Sequence, residues 1–233
     1  MNHRVRLPFV ALACAVGIGP ALVGCSKPAG DGQPVLARAD DPAQSGAGSS
    51  VLAQPASSPQ SFGEVAPFTF VDERGNPVRR EDLLGEPWIA SMIFTRCTGP
   101  CPAVTSTMKK LETRLSSSRA KLVTFTVDPE YDTPAVLKRY SDAVGADPAR
   151  WIFLTGPTQS IDAFIRASFL SPVERDARAA IGQHVSHSTR IVVVDKRGRV
   201  RGQYSGESDA DLDLIVARLA FLEREPASPA ASR

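Results

Sequence analysis

Between Trp88 and Met108 the chain reads WIASMIFTRCTGPCPAVTSTM, an uncharged apolar run that ends in two cysteines four residues apart. Trp88 to Thr95 carries no charge and little polar alternation, the pattern of a strand covered on both faces of a sheet. Arg96 ends the run. Pro102 suits the first turn of a helix, and Met108, Leu111 and Leu115 recur behind it at helical spacing. Such a stretch calls for a layered fold with both thiols at a strand-to-helix turn. There the free N–H groups and positive end of the helix favour a thiolate, the form that attacks disulfides and binds soft metals.

The remaining chain supplies the layers. Pro67 to Val71 and Pro77-Val78 flank the turn Asp72 to Asn76, an N-terminal hairpin, and Glu81 to Leu84 makes a short helical turn. Lys121 to Val127 is a second buried strand. Thr133 is placed as an N-cap with Pro134 as first helical residue, and the apolar face of Val136, Leu137, Tyr140 and Val144 stops near Gly145. Trp151 to Leu154 reads as a third strand, followed by a helix capped by Thr158. Residues 171–186 are polar and irregular, a loop or short excursion. Arg190 to Val194 and Arg199 to Tyr204 form a hairpin about Lys196-Arg197-Gly198, and Ser208 caps a last helix with Asp211 completing a near capping box. Strands alternating with helices give an α/β fold, a central mixed sheet flanked by helices with an antiparallel hairpin at one side, in the layout of a thioredoxin-like domain.

The N-terminal part reads differently. Arg4 and Arg6 precede an apolar stretch from Leu7 to Val23, closing in Leu22-Val23-Gly24-Cys25. This is a secretion signal whose last four residues resemble the bacterial lipobox, so residues 1–25 are expected to be a lipoprotein signal and Cys25 the lipid-modified first residue. Residues 26–61 are dominated by Ala, Gly, Pro and Ser and are expected to be a flexible tether, spanning roughly 35 Å on average. The folded domain is expected over 62–223, with a disordered tail over 224–233. Composition adds one exclusion: a net charge of +2, without a basic patch interleaved with aromatics, argues against nucleic acid as a partner.

Removal of the signal would take Cys14 with it, and lipidation would consume Cys25. Cys97 and Cys101 are then the free thiols of the domain. A structural disulfide across so short a loop removes little unfolded-state entropy, so redox or metal chemistry is the stronger reading.

Four separated motifs carry a resemblance. Phe94 to Pro102, then Val127-Asp128-Pro129 through Asp132-Thr133-Pro134, then Trp151 to Gly156, then His187-Ser188 before a strand and an Asp-x-x-Gly turn resemble the SCO/SenC family. The resemblance implies a thioredoxin-like, membrane-tethered copper chaperone acting in assembly of the copper site of cytochrome c oxidase. It implies Cys97 and Cys101 as thiolate ligands, His187 as imidazole ligand, and Asp128 as an acidic residue in the loop beside them. Two soft thiolates suit Cu(I), and an added imidazole also suits Cu(II). The spacer Thr98-Gly99-Pro100 departs from the family, which usually has proline after the first cysteine and an acidic residue before the second. Thioredoxins also place a cis-proline before the last hairpin, whereas here no proline occurs between Pro172 and Pro226, and His187-Ser188-Thr189 fills that position. His184, three residues earlier on an extended segment, is expected on the opposite side as an exposed loop residue.

The expected partners are the copper-site subunit of an oxidase, thiol reductant proteins and a membrane reached through the lipid anchor. The expected place is the bacterial cell envelope, facing the periplasm. A thiol-disulfide oxidoreductase in which Cys97 attacks and Cys101 resolves is the enzymatic alternative, and a redox or copper sensor is a third.

Overall fold

The computed structural model describes Ser57 and residues 60–226. The expected signal, Cys25 and nearly all of the expected tether lie outside the described residues. Among the described residues no helix is long and apolar enough to cross a membrane.

Among the described residues, nine strands and four α-helices follow in the order β1 (Thr69–Asp72), β2 (Pro77–Arg79), β3 (Trp88–Ile93), α1 (Cys101–Arg114), β4 (Lys121–Thr126), α2 (Pro134–Ala143), β5 (Trp151–Thr155), α3 (Thr158–Phe169), β6 (Glu174–Arg175), β7 (Val185–Ser186), β8 (Arg190–Val194), β9 (Val200–Ser205) and α4 (Leu212–Arg224). Seven strands form one sheet in the order β2-β1-β5-β4-β3-β8-β9. Its centre, β5-β4-β3, is parallel, and both flanks are antiparallel. The expected mixed sheet is therefore present, with a hairpin at each edge rather than at one side.

The parallel centre explains why β3 reads as an uninterrupted apolar run: all six of its residues are buried. On one face Phe68, Phe70, Phe125 and Phe164 pack together, with ring centroids 4.8 to 6.2 Å apart. On the other, Ile89, Leu122, Trp151 and Phe153 meet the stripe Leu212, Ile215, Leu219 and Leu222 of α4. Fully burying side chains of this size stabilises by about 1.5–3 kcal/mol each before the entropy of ordering is subtracted.

Four local expectations change. Thr158 is the first residue of α3, and the position before it is Pro157, whose backbone is extended. The 171–186 stretch contains a two-stranded ladder in which Glu174 pairs with Ser186 and Arg175 with Val185. Two residues per strand are too few to print an alternation into a sequence. Ser208 caps a 3-10 turn over Asp209–Asp211 ahead of α4, and Asp211 accepts a hydrogen bond from the Ser205 backbone at 2.8 Å instead of closing a capping box. Beyond α4, Glu225 pairs with the fully buried Arg201 at 2.7 Å, and Arg201 also meets Asp195 at 3.0 Å.

Candidate metal centre

Helix α1 begins at Cys101 itself, with Pro100 as the residue before it and Pro102 in the first turn. Cys101 is fully buried, whereas Cys97 is half-buried, and both are free thiols. The Cys97 backbone N–H reaches back to the Phe94 carbonyl at 3.1 Å, so the loop folds over the end of β3. The two thiols are close enough to hydrogen-bond.

The helix end does not make Cys101 a thiolate. Burial, followed by the hydrogen bond its S–H donates to Cys97, pushes its thiol well above the ordinary range. The expectation of thiolate character at this turn is thus reversed for Cys101, because desolvation of a charge in an apolar core outweighs a partial helix charge.

His187 stands directly against Cys101, its Nε2 3.5 Å from Sγ. Its Nδ1 lies 2.9 Å from the Ser188 carbonyl, an acceptor only, so Nδ1 carries the proton and Nε2 presents its lone pair to the thiol. Burial pushes the imidazole below its ordinary range, which keeps it neutral. Two atoms bound to one tetrahedral first-row ion at ordinary metal–sulfur and metal–nitrogen distances lie about 3.5 Å apart. The Cys101–His187 pair therefore already has the length of one edge of a coordination shell. Among the described residues no three cysteine, histidine or carboxylate side chains are gathered tightly enough to hold an ion.

Asp128 is tied to Arg96, the residue before Cys97. Its carboxylate accepts from Arg96 Nη2 at 2.7 Å and Nε at 3.2 Å, and stands 3.3 Å from His184 Nε2. Arg96 also stacks on Tyr131, 4.0 Å from the ring centroid. The Gly182 N–H points at His184 Nδ1 at 3.3 Å, so Nδ1 accepts and Nε2–H faces Asp128. His184 is not the expected exposed loop residue: its side chain is only 21% exposed. Nor do the two histidines face apart, since both rings pack edge-on against Phe94, at 5.3 and 6.0 Å. The segment between them is extended for just two residues, too short for strand alternation to hold.

Two close approaches join the loops. Thr98 N–H donates to the Gly182 carbonyl at 3.3 Å. Gly182 has φ +95°, and a Cβ there would sit 2.8 Å from the Arg96 carbonyl and 2.9 Å from the Thr98 side chain. A Cβ on Gly206 would fall 2.1 Å from the Thr189 carbonyl, so that glycine lets β9 close on the histidine segment.

The SCO1/SenC family model matches residues 56–220 of this chain. The chain belongs to the SCO1/SenC family. The SCO1 protein homolog of Bacillus subtilis (strain 168) is 34% identical over 157 residues, 66% of this chain and 80% of its own length. Among solved structures, BsSco, described as a member of the Sco family of cytochrome c oxidase assembly proteins with a disulfide switch, superposes with a TM-score of 0.64 at 30% identity, covering 72% of this chain and 98% of its own. Yeast Sco1 with copper bound superposes with a TM-score of 0.58 at 25% identity, over 69% and 90% of the two chains. The thioredoxin-like fold of this SCO1/SenC chain follows from these superpositions together with its sheet order.

Sequence reasoning missed Arg96, Gly182 and Asp132 as parts of the site. Asp132 is fully buried and holds the end of β3 through the Thr95 backbone N–H at 3.1 Å and both the Thr95 and Thr126 hydroxyls. Arg96 read only as a strand terminator, although its place beside Cys97 was a usable signal.

Proposed function

We propose that this SCO1/SenC protein binds copper through Cys97, Cys101 and His187 and passes it to the copper site of a respiratory cytochrome c oxidase. The observation that carries the reading is the His187 ring: one nitrogen is tied to a backbone carbonyl and the other aims its lone pair at a buried thiol. Metal-ligating histidines are oriented in this way. Cys97, half-buried and on a loop, is the ligand that moves, and three ligands leave one side open for handing the ion on. The copper-bound yeast relative supports the choice of metal. A metal ion displaces the Cys101 proton, so loading releases protons and requires the reduced dithiol. Oxidation of the pair to a disulfide would empty the site. Asp128 acts indirectly, steadying Arg96 and His184 at the back of the Cys97 loop.

The setting proposed is the bacterial cell envelope, with the protein lipid-anchored at Cys25 and facing the periplasm on a tether over 26–61. Its partners there are the oxidase subunit that receives copper and thiol reductants that keep the pair open. A half-exposed Cys97 beside a buried, protonated Cys101 also fits an attacking and a resolving thiol, which keeps thiol-disulfide exchange as the second reading. A redox or copper sensor would use the same chemistry.

The test is titration of the reduced protein with Cu(I) and Cu(II). One equivalent bound, with both thiols protected from alkylation, is the expected result. Failure to bind copper while the dithiol still reduces a model disulfide would establish the exchange reading instead.

A further inference from the structure

Beside the histidine segment lies a groove of about 350 Å³, lined by Leu170, Ser171, Pro172, Ser188, Arg190 and Gln203 among others. Three features of its walls are costly to the fold. Leu170 ends α3 in the left-handed region, at φ 52° and ψ 33°, where a Cβ is penalised and glycine is favoured. Its apolar side chain is nevertheless 71% exposed. The Ser171 hydroxyl is buried, the residue only 6% exposed, and has no hydrogen-bond partner. Among the described residues no carboxylate pairs with the Arg190 guanidinium; Glu207, the acidic group at the neighbouring Thr189, accepts from that hydroxyl at 2.7 Å. Gln203 is already spent, donating to the Phe169 carbonyl at 3.1 Å.

An arginine with no carboxylate partner among the described residues and an exposed leucine in one groove fit a carboxylate on an apolar backbone. The groove is lined in part by Ser188, the residue that follows His187 in the chain and whose carbonyl holds its ring. We infer that the groove docks a segment of the protein that receives the metal. An aspartate or glutamate of that segment takes its hydrogen bonds from Arg190, while an apolar neighbour covers Leu170. This rests on the copper-transfer reading and adds to it the chemistry by which the acceptor is chosen.

The test uses the reduced full-length chain and two labelled peptides, each with a central cysteine, one flanked by aspartates and the other by asparagines. Binding is read by fluorescence anisotropy. The aspartate peptide should bind about tenfold more tightly, the worth of a charge-assisted hydrogen bond. Arg190→Gln should abolish that preference. Leu170→Gly should raise the melting temperature and weaken both peptides alike. Equal affinity of the two peptides, or an undiminished preference in Arg190→Gln, would overturn the inference. Copper titration of Arg190→Gln separates the two claims. Arg190 lies outside the ligand set, so stoichiometry there should match the unaltered protein; if neither binds copper, the copper reading fails while the peptide data still judge the groove.

Discussion

Two histidines three residues apart lean on the same phenylalanine and end in opposite chemical states. His187 gives its Nδ1 proton to a backbone carbonyl and turns a bare Nε2 to Cys101. His184 receives a backbone N–H on Nδ1 and turns Nε2–H to Asp128. One side of the cysteine loop is therefore dry and neutral, able to take up a soft cation. The other is an ionic brace of Arg96, Asp128 and His184 under a tyrosine ring. The backbone partner of the far nitrogen, rather than residue type or proximity, decides which imidazole offers a lone pair.

The sharpest way to break this contrast is to remove each ring in turn. Removing a group that only orients a metal ligand typically costs 10- to 100-fold in affinity, so His187→Ala should weaken Cu(II) binding by more than about 100-fold and His184→Ala by about tenfold or less. Equal losses on the two sides would erase the distinction between ligand and brace. Next in size is Gly182→Ala. A side chain at φ +95°, 2.8 Å from the Arg96 carbonyl, should cost roughly 1–3 kcal/mol and part the two loops. Denaturant unfolding would show the loss, and faster alkylation of Cys97 would show the opening.

The smallest expected effect is a pH dependence confined to the dry side. Burial depresses the His187 imidazole, so below about pH 6.5 the unfolded chain takes up a proton that the folded chain refuses, and stability falls with acid. Burial and the Cys97 hydrogen bond raise the Cys101 thiol, so above about pH 8.5 the unfolded chain ionises first and stability falls with base. The reduced, metal-free protein should therefore be most stable between those limits. The melting temperature of His187→Ala should lose the acid limb of the curve, and that of Cys101→Ala the alkaline limb.

The sheet was readable because its centre is parallel. Strands buried on both faces must be apolar throughout, and the runs at Trp88, Lys121 and Trp151 carry that demand openly, as do Thr133-Pro134 at the start of α2. The candidate ligands were legible for a different reason, because thiols and imidazoles are scarce and the motifs around Cys97, Cys101 and His187 kept their order. Local sequence also showed that no proline stands where a thioredoxin would need one.

What the sequence by itself determined, then, is the layered fold and the residues able to hold a soft metal, since both follow from local pattern and residue chemistry. Tertiary structure alone decided the protonation of Cys101, the tautomers of the two histidines and the pairing of Asp128 with Arg96 and His184. The first and the last depend on burial or on a partner 32 to 86 residues away along the chain, such as His187 for Cys101, Arg96 for Asp128 or Asp128 for His184, and the tautomers follow from how the packed segment turns each ring onto a nearby backbone group, the Ser188 carbonyl and the Gly182 N–H. Desolvation and hydrogen-bond direction are properties of packed neighbours, and no local pattern of residues encodes them.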